Sequence, residues 1–418
     1  MKKQLIQPVK GTRDFYPEQM ALRVWLYNAI RAVSEKFGYQ EYEGPILEYI
    51  ALYAAKSGEE LVKEQSFVLT DRGGDELTLR PELTPTLARM VAQKQNALPK
   101  PIRWWSFGPF WRYERPQKGR AREFFQWNID LIGSKSVQAD AEIAAISAEF
   151  FRSVGLGPDI VRIQLNNRRL MDAQLRVMGV EDALVSAVFK VIDKREKMND
   201  PEWSEYAASV GLSSAQIDGL RTMLNNRELW KQSDELVACF EALADLGVSE
   251  YFEFEPSVIR GLDYYTGTVM EGRDKKGGRA IFGGGRYDNL VGDVGGDPLP
   301  GVGFAMGDVV VSLMLEEYGK KPSFETSPAQ VLLAAFDASL LSAARKLSAQ
   351  WRAAGLRVEL YPDAAKLDRQ LKYADAKNIP FVAILGPDEA ATNSVTLKDL
   401  RRKSQQRVPQ NEVAQLVK

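Results

Sequence analysis

The rhythm of apolar residues changes along this chain of 418 residues, and this change limits its fold more than any other feature. Between residues 66 and 132, short alternating runs are broken by glycine and proline, as in FVLTDRGGDELTLRPE and IRWWSFGPFWRYERPQ, a pattern typical of antiparallel strands. Residues 167–246 have a helical pattern almost throughout, and strands return at YFEFEP. The sequence therefore predicts an antiparallel sheet domain of α+β type with a helical insertion over about 167–246.

A second rhythm begins after Pro322, where apolar strands and amphipathic helices alternate regularly. AQVLLAAFD, RVELYP and FVAILG are predicted strands, with helices through Leu347 and Ala376 between them, and VTLKDL follows. This alternation is typical of a small α/β domain with a largely parallel sheet. Because a chain of this length exceeds one ordinary core, we expect two domains, 1–322 and 328–418.

The absence of histidine removes many classes of active site. The chain has one cysteine, Cys239, in the helical pattern LVACFEALADLG, where a buried structural thiol is expected. Intrachain disulfides, Cys/His zinc sites and Ser-His or Cys-His triads are therefore excluded. Lys and Arg number 55 against 56 acidic residues, so a nucleic acid would have to bind at local basic patches. With no apolar run of about 18 residues and no apolar run of the secretory kind after MKKQLIQPVKGTRD, we expect a cytoplasmic protein.

Four stretches concentrate glycine, arginine, tyrosine and carboxylates where structural strands would be apolar. The first is TLRPELTPT (78–86), and the second is FWRYERPQKGRAREFFQWNID (110–130), in which two strand-like arms flank a loop. The loop carries four cations, Arg115, Lys118, Arg120 and Arg122. Guanidinium groups pair bidentately with phosphate oxygens and Phe124 can stack on a base, so this hairpin suits a polyphosphate. A solvated charged hairpin is the alternative interpretation of this stretch alone.

The third stretch, RGLDYYTGTVME (260–271), is predicted to be a strand that carries Arg260, Asp263, Tyr264 and Tyr265. A core strand with an aromatic ladder is the alternative, but buried Arg and Asp would be costly there unless they lined a site. The fourth stretch, FGGGRYDNL (282–290), has a triple glycine that permits close approach of the backbone. It has neither a Walker lysine nor the GxGxxG spacing. By spacing alone, the four stretches indicate a polar pocket suited to phosphate.

Together these stretches resemble the histidyl-tRNA synthetase family over nearly the whole chain. KGTRDFYPE (10–18) resembles the opening segment of that family, and FGYQEYEGPILE (37–48) resembles class II motif 1, whose proline here is Pro45. The hairpin matches motif 2, and RGLDYYTGTVME and GGGRYDNL are similar to two signatures peculiar to the histidine enzymes. KLDRQLKYADAKNIPFVAILG (366–386) and VTLKDL (395–400) are similar to the anticodon-binding domain of the family.

The resemblance implies a class II ligase that uses ATP with Mg²⁺ to make histidyl-adenylate and then charges tRNA(His), releasing AMP and pyrophosphate. It also implies a homodimer formed through motif 1 around Pro45. Two alternatives keep the fold without the reaction: a histidine-sensing regulatory subunit like that of ATP phosphoribosyltransferase, and a non-catalytic tRNA-binding sensor. That regulatory family lacks the C-terminal domain, and this chain retains Arg112, Arg260 and the tyrosine signatures, which favours the enzyme.

The resemblance also assigns roles to residues at matching positions. Histidine would be held by Glu82, Thr84 and Gln126 at its α-amino group and by Asp130, Tyr265 and Tyr287 around its imidazole. ATP would contact Arg112 at the α-phosphate, Arg120 at the outer phosphates, Glu114 at the adenine end or its metal, and Phe124 by stacking on adenine. The catalytic residues would be Arg112 and Arg260, which would bridge the histidine carboxylate and the α-phosphate. The tRNA acceptor end would face Arg115 and Gln117.

Two departures from the family pattern concern motif 3 and histidine itself. GVGFAMGDVVVSLML (301–315) resembles motif 3, but Val309 and Val310 stand where many relatives have a Glu-Arg pair. That arginine normally clamps the outer phosphates of ATP, and we expect Asp308 beside the gap to repel phosphate unless it binds magnesium. No metal site made by protein side chains alone is expected. Histidine is absent throughout, including at Phe125, where some relatives carry it.

Overall fold

The computed structural model of this chain describes residues 5–54, 64–117, 119–259, 264–325 and 327–417. The residues divide into two compact units. The first contains the residues up to Asp14 and Arg23–Lys321, and the second contains Phe15–Leu22 and Pro322–Lys418. Among the described residues, no helix is both long and apolar enough to cross a membrane.

The elements that precede Pro322 are mostly short strands followed by a run of helices and a second group of strands. In chain order they are α1 (Pro17–Lys36), β1 (Gln40–Glu41), β2 (Leu47–Tyr49), α2 (Ala51–Ala54), β3 (Phe67–Thr70), β4 (Glu76–Leu79), α3 (Thr84–Lys94), β5 (Ile102–Trp111), β6 (Glu123–Ile132), α4 (Val137–Ser153), β7 (Val161–Asn167), α5 (Arg168–Val177), α6 (Asp182–Asp193), α7 (Asp200–Ser209), α8 (Ser214–Asn225), α9 (Asp234–Asp245), β8 (Phe252–Phe254), β9 (Thr268–Asp274), β10 (Ala280–Tyr287), α10 (Leu290–Asp293), β11 (Gly301–Gly307) and α11 (Asp308–Glu317).

The central sheet of the first unit has eight strands in the order β1-β5-β6-β11-β10-β9-β7-β8. Its outer pairs, β1 with β5 and β7 with β8, are parallel, and all pairs between them are antiparallel. The long β5–β6 hairpin pairs from Ile102 opposite Ile132 to Trp111 opposite Glu123. The predicted antiparallel sheet is confirmed, and it presents alternate residues of β6 to one face.

One stretch inside the predicted sheet region is helical. Helix α3 has Pro85 in its first turn, where a missing N–H costs nothing, and it buries Leu87 and Val91 one turn apart. The apolar spacing of TPTLARMVAQK carried this signal, but the short strands on both sides of it concealed the change of period. The helix places Thr84 at its first position, directly after Glu82 and Leu83.

The strand predicted through RGLDYYTGTVME is wrong for Tyr264 and Tyr265. Strand β9 begins only at Thr268, and both tyrosines lie in the irregular segment before it. Successive residues of a strand point to opposite faces, whereas these two rings pack edge to face with centroids 5.0 Å apart. Arg260 and Asp263 lie outside the described residues.

The helical insertion is confirmed as helices α5 to α9, between β7 and β8. Its helices share one apolar core, which includes Leu175, Val188, Trp203 and Leu236. The indole N–H of Trp203 donates to the carbonyl oxygen of Val191 at 2.9 Å, so this large side chain is buried with its polar atom satisfied.

The second unit has a five-stranded sheet of its own. After Pro322 its elements are β12 (Val331–Ala335), α12 (Leu341–Ala353), β13 (Val358–Leu360), α13 (Leu367–Ala376), β14 (Phe381–Leu385), α14 (Pro387–Ala391), β15 (Ser394–Asp399), β16 (Ser404–Pro409) and α15 (Val413–Leu416). The strand order is β13-β12-β14-β15-β16. The largely parallel sheet that we predicted is wrong in part, because β14, β15 and β16 pair antiparallel. The α14 connection is too short for the crossover that parallel neighbours need.

Candidate active site

A small cavity of about 100 Å³ lies on the central sheet and is lined by several of its strands. All six residues that the resemblance assigns to histidine line it: Glu82, Thr84, Gln126, Asp130, Tyr265 and Tyr287. Gln126, Asn128 and Asp130 alternate along β6 and therefore share one face of the sheet. The fold thus brings together residues that are more than 200 positions apart in the sequence.

The carboxylate of Asp130 is buried in the wall of this cavity. The hydroxyl of Tyr287 donates a hydrogen bond to its Oδ1 at 2.7 Å. Burial raises the pKa of Asp130 to about 7, and the hydrogen bond from Tyr287 opposes that rise. Burial and the nearby charge of Asp130 raise the pKa of Tyr287, so the tyrosine remains a protonated donor. The cavity therefore contains a carboxyl group that titrates near neutral pH.

Two glycines of β11 make room for this pair. Gly303 lies opposite Asp130 in the β6–β11 ladder, and a Cβ on Gly303 would overlap Oδ1 of that residue. Gly301 lies opposite Tyr287 in the β10–β11 ladder, and a Cβ there would overlap the tyrosine ring. No role was predicted for these glycines from the sequence, although isolated glycines within a strand commonly mark a close approach of this kind.

Acceptor groups at two further positions, Glu82 and Gln126, line the same cavity. Tyr264 donates from its hydroxyl to Oε2 of Glu82 at 3.0 Å and also forms a side-chain hydrogen bond with Thr84. Oε1 of Gln126 is buried and has no hydrogen-bond partner among the described residues. A buried carboxylate beside an unsatisfied carbonyl oxygen favours a ligand that donates hydrogen bonds, such as an ammonium group. Tyr264 and Asn128 are lining residues that the sequence analysis did not assign.

A second cavity, of about 540 Å³, shares Arg112 with the small one, and we call it the cationic cleft. Its walls come from the β5–β6 hairpin, the insertion, the β9–β10 hairpin and α11. Five of its described lining residues are cations: Arg112, Arg120, Lys197, Arg273 and Arg279. Nε of Arg112 donates to the carbonyl oxygen of Pro81 at 2.9 Å, which holds the guanidinium group at the junction. Arg112 is therefore placed to contact a ligand in either cavity.

Other hairpin residues that the resemblance assigns to ATP or tRNA lie outside the two cavities or have partners within the protein. Phe124 stacks on Phe110 with ring centroids 6.0 Å apart, and Glu114 forms an ion pair with Arg120 at 2.9 Å. Neither Phe124 nor Glu114 is among the lining residues of either cavity. Arg115 and Gln117 are exposed near the tip of the hairpin, where Gln117 forms an isolated bridge with Arg120. Lys118 lies outside the described residues.

Asp308, which we expected to repel phosphate unless it binds magnesium, is buried and has partners within the protein. Its Oδ2 forms an ion pair with Arg13 at 2.9 Å, and its Oδ1 accepts the backbone N–H of Phe125 at 2.9 Å. Arg23 lies over the ring of Phe125, with its guanidinium carbon 3.4 Å from the centroid. Asp308 thus ties the start of α11 to strand β6, while Val310 lines the cationic cleft. Within the described ranges, no group of three acidic or cysteine side chains could hold a metal ion.

Arg286, the arginine of GGGRYDNL, packs against protein groups outside the small cavity. Arg286 forms a buried ion pair with Asp140 and also donates to the carbonyl oxygens of Ser134 and Ser136. It precedes Tyr287 in β10, so the two side chains point to opposite faces of the sheet. The signature therefore contributes Tyr287 to the cavity and Arg286 to the packing of α4 behind it.

Two family models together match most of the chain. One, described as Histidyl-tRNA synthetase, matches residues 11–307, and another, described as Anticodon binding domain, matches residues 330–418. The chain is 38% identical over 410 residues to a chloroplastic/mitochondrial histidine–tRNA ligase of Arabidopsis thaliana, covering 96% of this chain and 84% of that protein. It is 37% identical over 429 residues to a histidine–tRNA ligase of Opitutus terrae, covering 99% and 98%.

Solved structures agree with this match. The crystal structure of histidyl-tRNA synthetase from Nostoc sp. aligns with a TM-score of 0.82 and 26% identity, covering 100% of this chain and 99% of that one. Apo histidyl-tRNA synthetase of S. aureus aligns with a TM-score of 0.72 at 23% identity, which supports the fold alone. The predicted fold class, a large sheet domain followed by a separate domain with its own sheet, is thereby confirmed. From the family model and these full-length relatives, we conclude that the chain belongs to the histidyl-tRNA synthetase family.

Proposed function

We propose that this protein ligates L-histidine to tRNA(His) with ATP, through a histidyl-adenylate, and releases AMP and pyrophosphate. One observation carries the proposal: the six residues matched to histidine binding line one small cavity, and that cavity shares Arg112 with the cationic cleft. An amino acid in the first cavity and a triphosphate in the second would meet at Arg112. This is the juxtaposition that formation of an aminoacyl-adenylate requires.

Histidine is recognised through both of its polar ends. The ionised carboxylate of Asp130 accepts a ring N–H, and the hydroxyl of Tyr287 fixes the position of that carboxylate through its hydrogen bond to Oδ1. The α-ammonium group donates to Glu82 and to Oε1 of Gln126, which accepts from no other described residue. Tyr265 forms part of the wall around the ring. Because Asp130 is buried and only Tyr287 donates to it, an amino acid without a donor in its side chain would deprive this carboxylate of the second hydrogen bond that histidine supplies.

The first chemical step needs no histidine on the enzyme. The substrate carboxylate is already an anion near pH 7, so it attacks the α-phosphorus without a general base. A bond forms between the carboxylate oxygen and phosphorus, the bond to the bridging oxygen breaks, and pyrophosphate leaves. Arg112 stabilises the charge that develops on the α-phosphate. We propose the same for Arg260, on the resemblance alone.

Magnesium enters as part of the nucleotide substrate. Mg²⁺ is commonly held by one or two carboxylates together with substrate phosphates, so a preformed cluster is not required. Of the described acidic residues, Asp193, Glu196 and Glu271 line the cleft. Glu196 and Glu271 contact Arg273, and Asp193 contacts Lys197. The ion supplies charge neutralisation on the phosphates. Glu114 remains a proposed contact to the adenine end or to this ion, with Phe124 as the stacking partner of adenine.

The second step transfers histidine to tRNA. The terminal ribose hydroxyl attacks the carbonyl carbon of the adenylate and passes its proton to a phosphate oxygen. An ester bond forms, the bond from the carbonyl carbon to the phosphate oxygen breaks, and AMP leaves. Arg115 and Gln117, exposed near the tip of the β5–β6 hairpin, are proposed to face the acceptor end. The charge balance of the whole chain is near zero, so contacts with tRNA depend on local groups such as these.

Residues 328–418 are proposed to form a separable domain that binds the anticodon. They contain apolar cores of their own on both sides of the sheet, around Leu333 and around Leu332. Arg401 and Arg402 are exposed between β15 and β16, beside Gln405 and Gln406, in a polar depression of the second unit. Truncation after Pro322 should spare pyrophosphate exchange and lower aminoacylation. Equal loss of both activities in a truncated protein with a normal melting transition would contradict this division.

A homodimer through motif 1 is proposed from an exposed apolar sheet face. In the β2-β4-β3 sheet, Leu47 and Tyr49 lie on the same face as Leu69, and all three side chains are 41–57% exposed. An apolar face of this kind, next to Pro45, favours a partner surface. Sedimentation should show that the wild type is a dimer and that the Tyr49→Asp variant dissociates more readily into monomers.

Because the proposed reaction uses ATP and tRNA, we also propose that the protein acts in the cytoplasm.

The decisive test of the activity is the amino acid dependence of ATP/pyrophosphate exchange. We expect exchange with histidine and none of comparable rate with the other nineteen amino acids, followed by aminoacylation of tRNA(His). Histidine binding by calorimetry without any exchange would contradict the proposal and favour a regulatory subunit. Binding of tRNA without histidine binding or exchange would favour a tRNA-binding sensor.

A further inference from the structure

Arg279 in the cationic cleft has an unsatisfied, buried donor. It lies one residue before β10, at the end of the β9–β10 turn, and lines the cleft. Its Nη1 is buried and has no hydrogen-bond partner among the described residues. A buried guanidinium donor without an acceptor is costly, so native structures rarely contain one unless a ligand or solvent satisfies it.

Three of the other four cations of the cleft differ from Arg279 because carboxylates already neutralise them, and the fourth, Arg112, donates to the carbonyl oxygen of Pro81. Arg273 contacts Glu271 at 2.5 Å and Glu196 at 2.7 Å, and Lys197 contacts Asp193 at 2.7 Å. Arg120 pairs with Glu114 at 2.9 Å. Arg279 forms no ion pair with any described carboxylate. Its charge is therefore uncompensated in the part of the cleft that the structure describes, which favours an anion.

Arg279 also reaches the place from which the motif 3 arginine is missing. A Cβ built on Gly119, near the tip of the β5–β6 hairpin, would lie 3.5 Å from Cδ of Arg279 and 3.9 Å from Cγ2 of Val310. The two side chains therefore converge on the same part of the hairpin, although they come from the β9–β10 turn and from α11. A guanidinium group on the β9–β10 turn can thus occupy space that an arginine at position 310 would enter.

We propose that Arg279 holds the outer phosphates of ATP in place of the arginine that Val310 replaces in motif 3. The inference rests on the proposed function, because it takes ATP as the ligand of the cationic cleft. Guanidinium groups pair bidentately with phosphate oxygens, and the unsatisfied Nη1 of Arg279 gives it a donor for such a contact. Arg112 then holds the α-phosphate and Arg279 the end of the triphosphate.

The test compares ATP with AMP, because only ATP has outer phosphates. Calorimetry without histidine should show that Arg279→Ala weakens ATP binding about 10-fold or more and AMP binding less than 2-fold. Arg279→Gln, which is closer to arginine in size, should behave alike and guards against a folding defect of the alanine variant. Lys276→Ala is the matched control, since Lys276 is on the same turn but lies over the ring of Tyr318, outside the cleft. It should bind both nucleotides as wild type does.

Rescue by Val310→Arg distinguishes a phosphate contact from a general effect on the cleft. Added to Arg279→Ala, it should restore much of the affinity for ATP. Unchanged ATP binding in the Arg279 variants, or equal weakening of ATP and AMP, would overturn the proposal. These binding measurements are independent of chemistry. Wild type that binds ATP without histidine-dependent exchange would contradict the proposed function and still decide the role of Arg279.

Discussion

The small cavity and the cationic cleft meet at Arg112 but are built in different ways. In the small cavity, polar side chains such as Asp130 and Tyr287 are buried and hydrogen-bonded to one another. A larger residue in place of Gly301 or Gly303 would overlap these two side chains. The cleft is about five times larger in volume, and its cations come from the β5–β6 hairpin, the helical insertion and the β9–β10 hairpin. Recognition of a small, neutral ring requires fixed geometry, whereas binding of a polyphosphate requires charge from whichever element supplies it.

Because the cations of the cleft come from several elements, the chain can bind a polyphosphate without an arginine at the motif 3 position. An anion can be held by a guanidinium group that arrives from a different strand, because Coulomb attraction depends on distance and not on the backbone that carries the charge. The pairing of Asp130 with Tyr287 has no such freedom. We therefore expect substitutions in the small cavity to act on histidine alone and those in the cleft to act on ATP alone, with Arg112 affecting both.

The largest effect is expected for Arg112→Ala. Because Arg112 lies at the junction and is proposed to stabilise the α-phosphate in the transition state, kcat for pyrophosphate exchange should fall by about 100-fold or more. Single-turnover adenylation separates this loss from binding. A rate within a few-fold of wild type would remove Arg112 from the chemistry and separate the two cavities functionally.

A smaller effect, confined to histidine, is expected for Asp130→Asn. The KM for histidine should rise about 10-fold, while the KM for ATP stays within 2-fold, because the amide can no longer accept as an anion. Burial raises the pKa of Asp130 to about 7, so the wild-type KM for histidine should fall as pH rises through 7. The substrate imidazole also titrates near this pH, but it does so equally in both proteins. A wild-type and variant pH profile of the same shape would contradict the assignment.

A few-fold effect, confined to ATP, is expected for Arg120→Ala. Arg120 remains the motif-matched candidate for the outer phosphates, yet its side chain is 53% exposed and already pairs with Glu114. Solvent screening and this partner should limit its contribution to a rise of about 2- to 4-fold in the KM for ATP. An effect larger than that of Arg279→Ala would reverse the order of the two arginines in the cleft.

The smallest expected effect is a change in thermal stability with pH, and it arises from Asp130 in the small cavity. The folded-state pKa of Asp130 lies above its ordinary value of 3.8, so its contribution to stability is fully present below pH 3.8 and is lost as pH rises through about 7. Asparagine does not ionise, so the Asp130→Asn variant does not lose stability in this way as the pH rises. The melting temperature of the variant relative to wild type should therefore increase by a few degrees between pH 5 and pH 8. A constant difference would show that Asp130 does not titrate in this range.

Much of the fold followed from local pattern, and its failures have physical causes. The hairpin around Arg120, the insertion and the first four strands of the second unit are visible in apolar period. Strand β16 was not predicted, because SQQRVP has a single buried side chain and no apolar alternation. The helix at Thr84–Lys94 was missed because strands flank a single short amphipathic segment. Tyr264 and Tyr265 were assigned to a strand because aromatic residues favour strands, but a common cavity for both rings required irregular backbone. The antiparallel end of the second sheet depended on the length of one connection.

The sequence by itself determined most of the elements, the family and the set of histidine-binding candidates, because motif residues keep their spacing when the backbone of each strand is fixed locally. It also excluded catalysis by histidine or cysteine pairs. Only the tertiary structure decided how charges are distributed. In the folded chain, Asp308 forms an ion pair with Arg13, and Arg286 forms one with Asp140. The buried Nη1 of Arg279 has no acceptor among the described residues. The physical reason is that ion pairs depend on distances between side chains far apart in the chain, which no local pattern encodes.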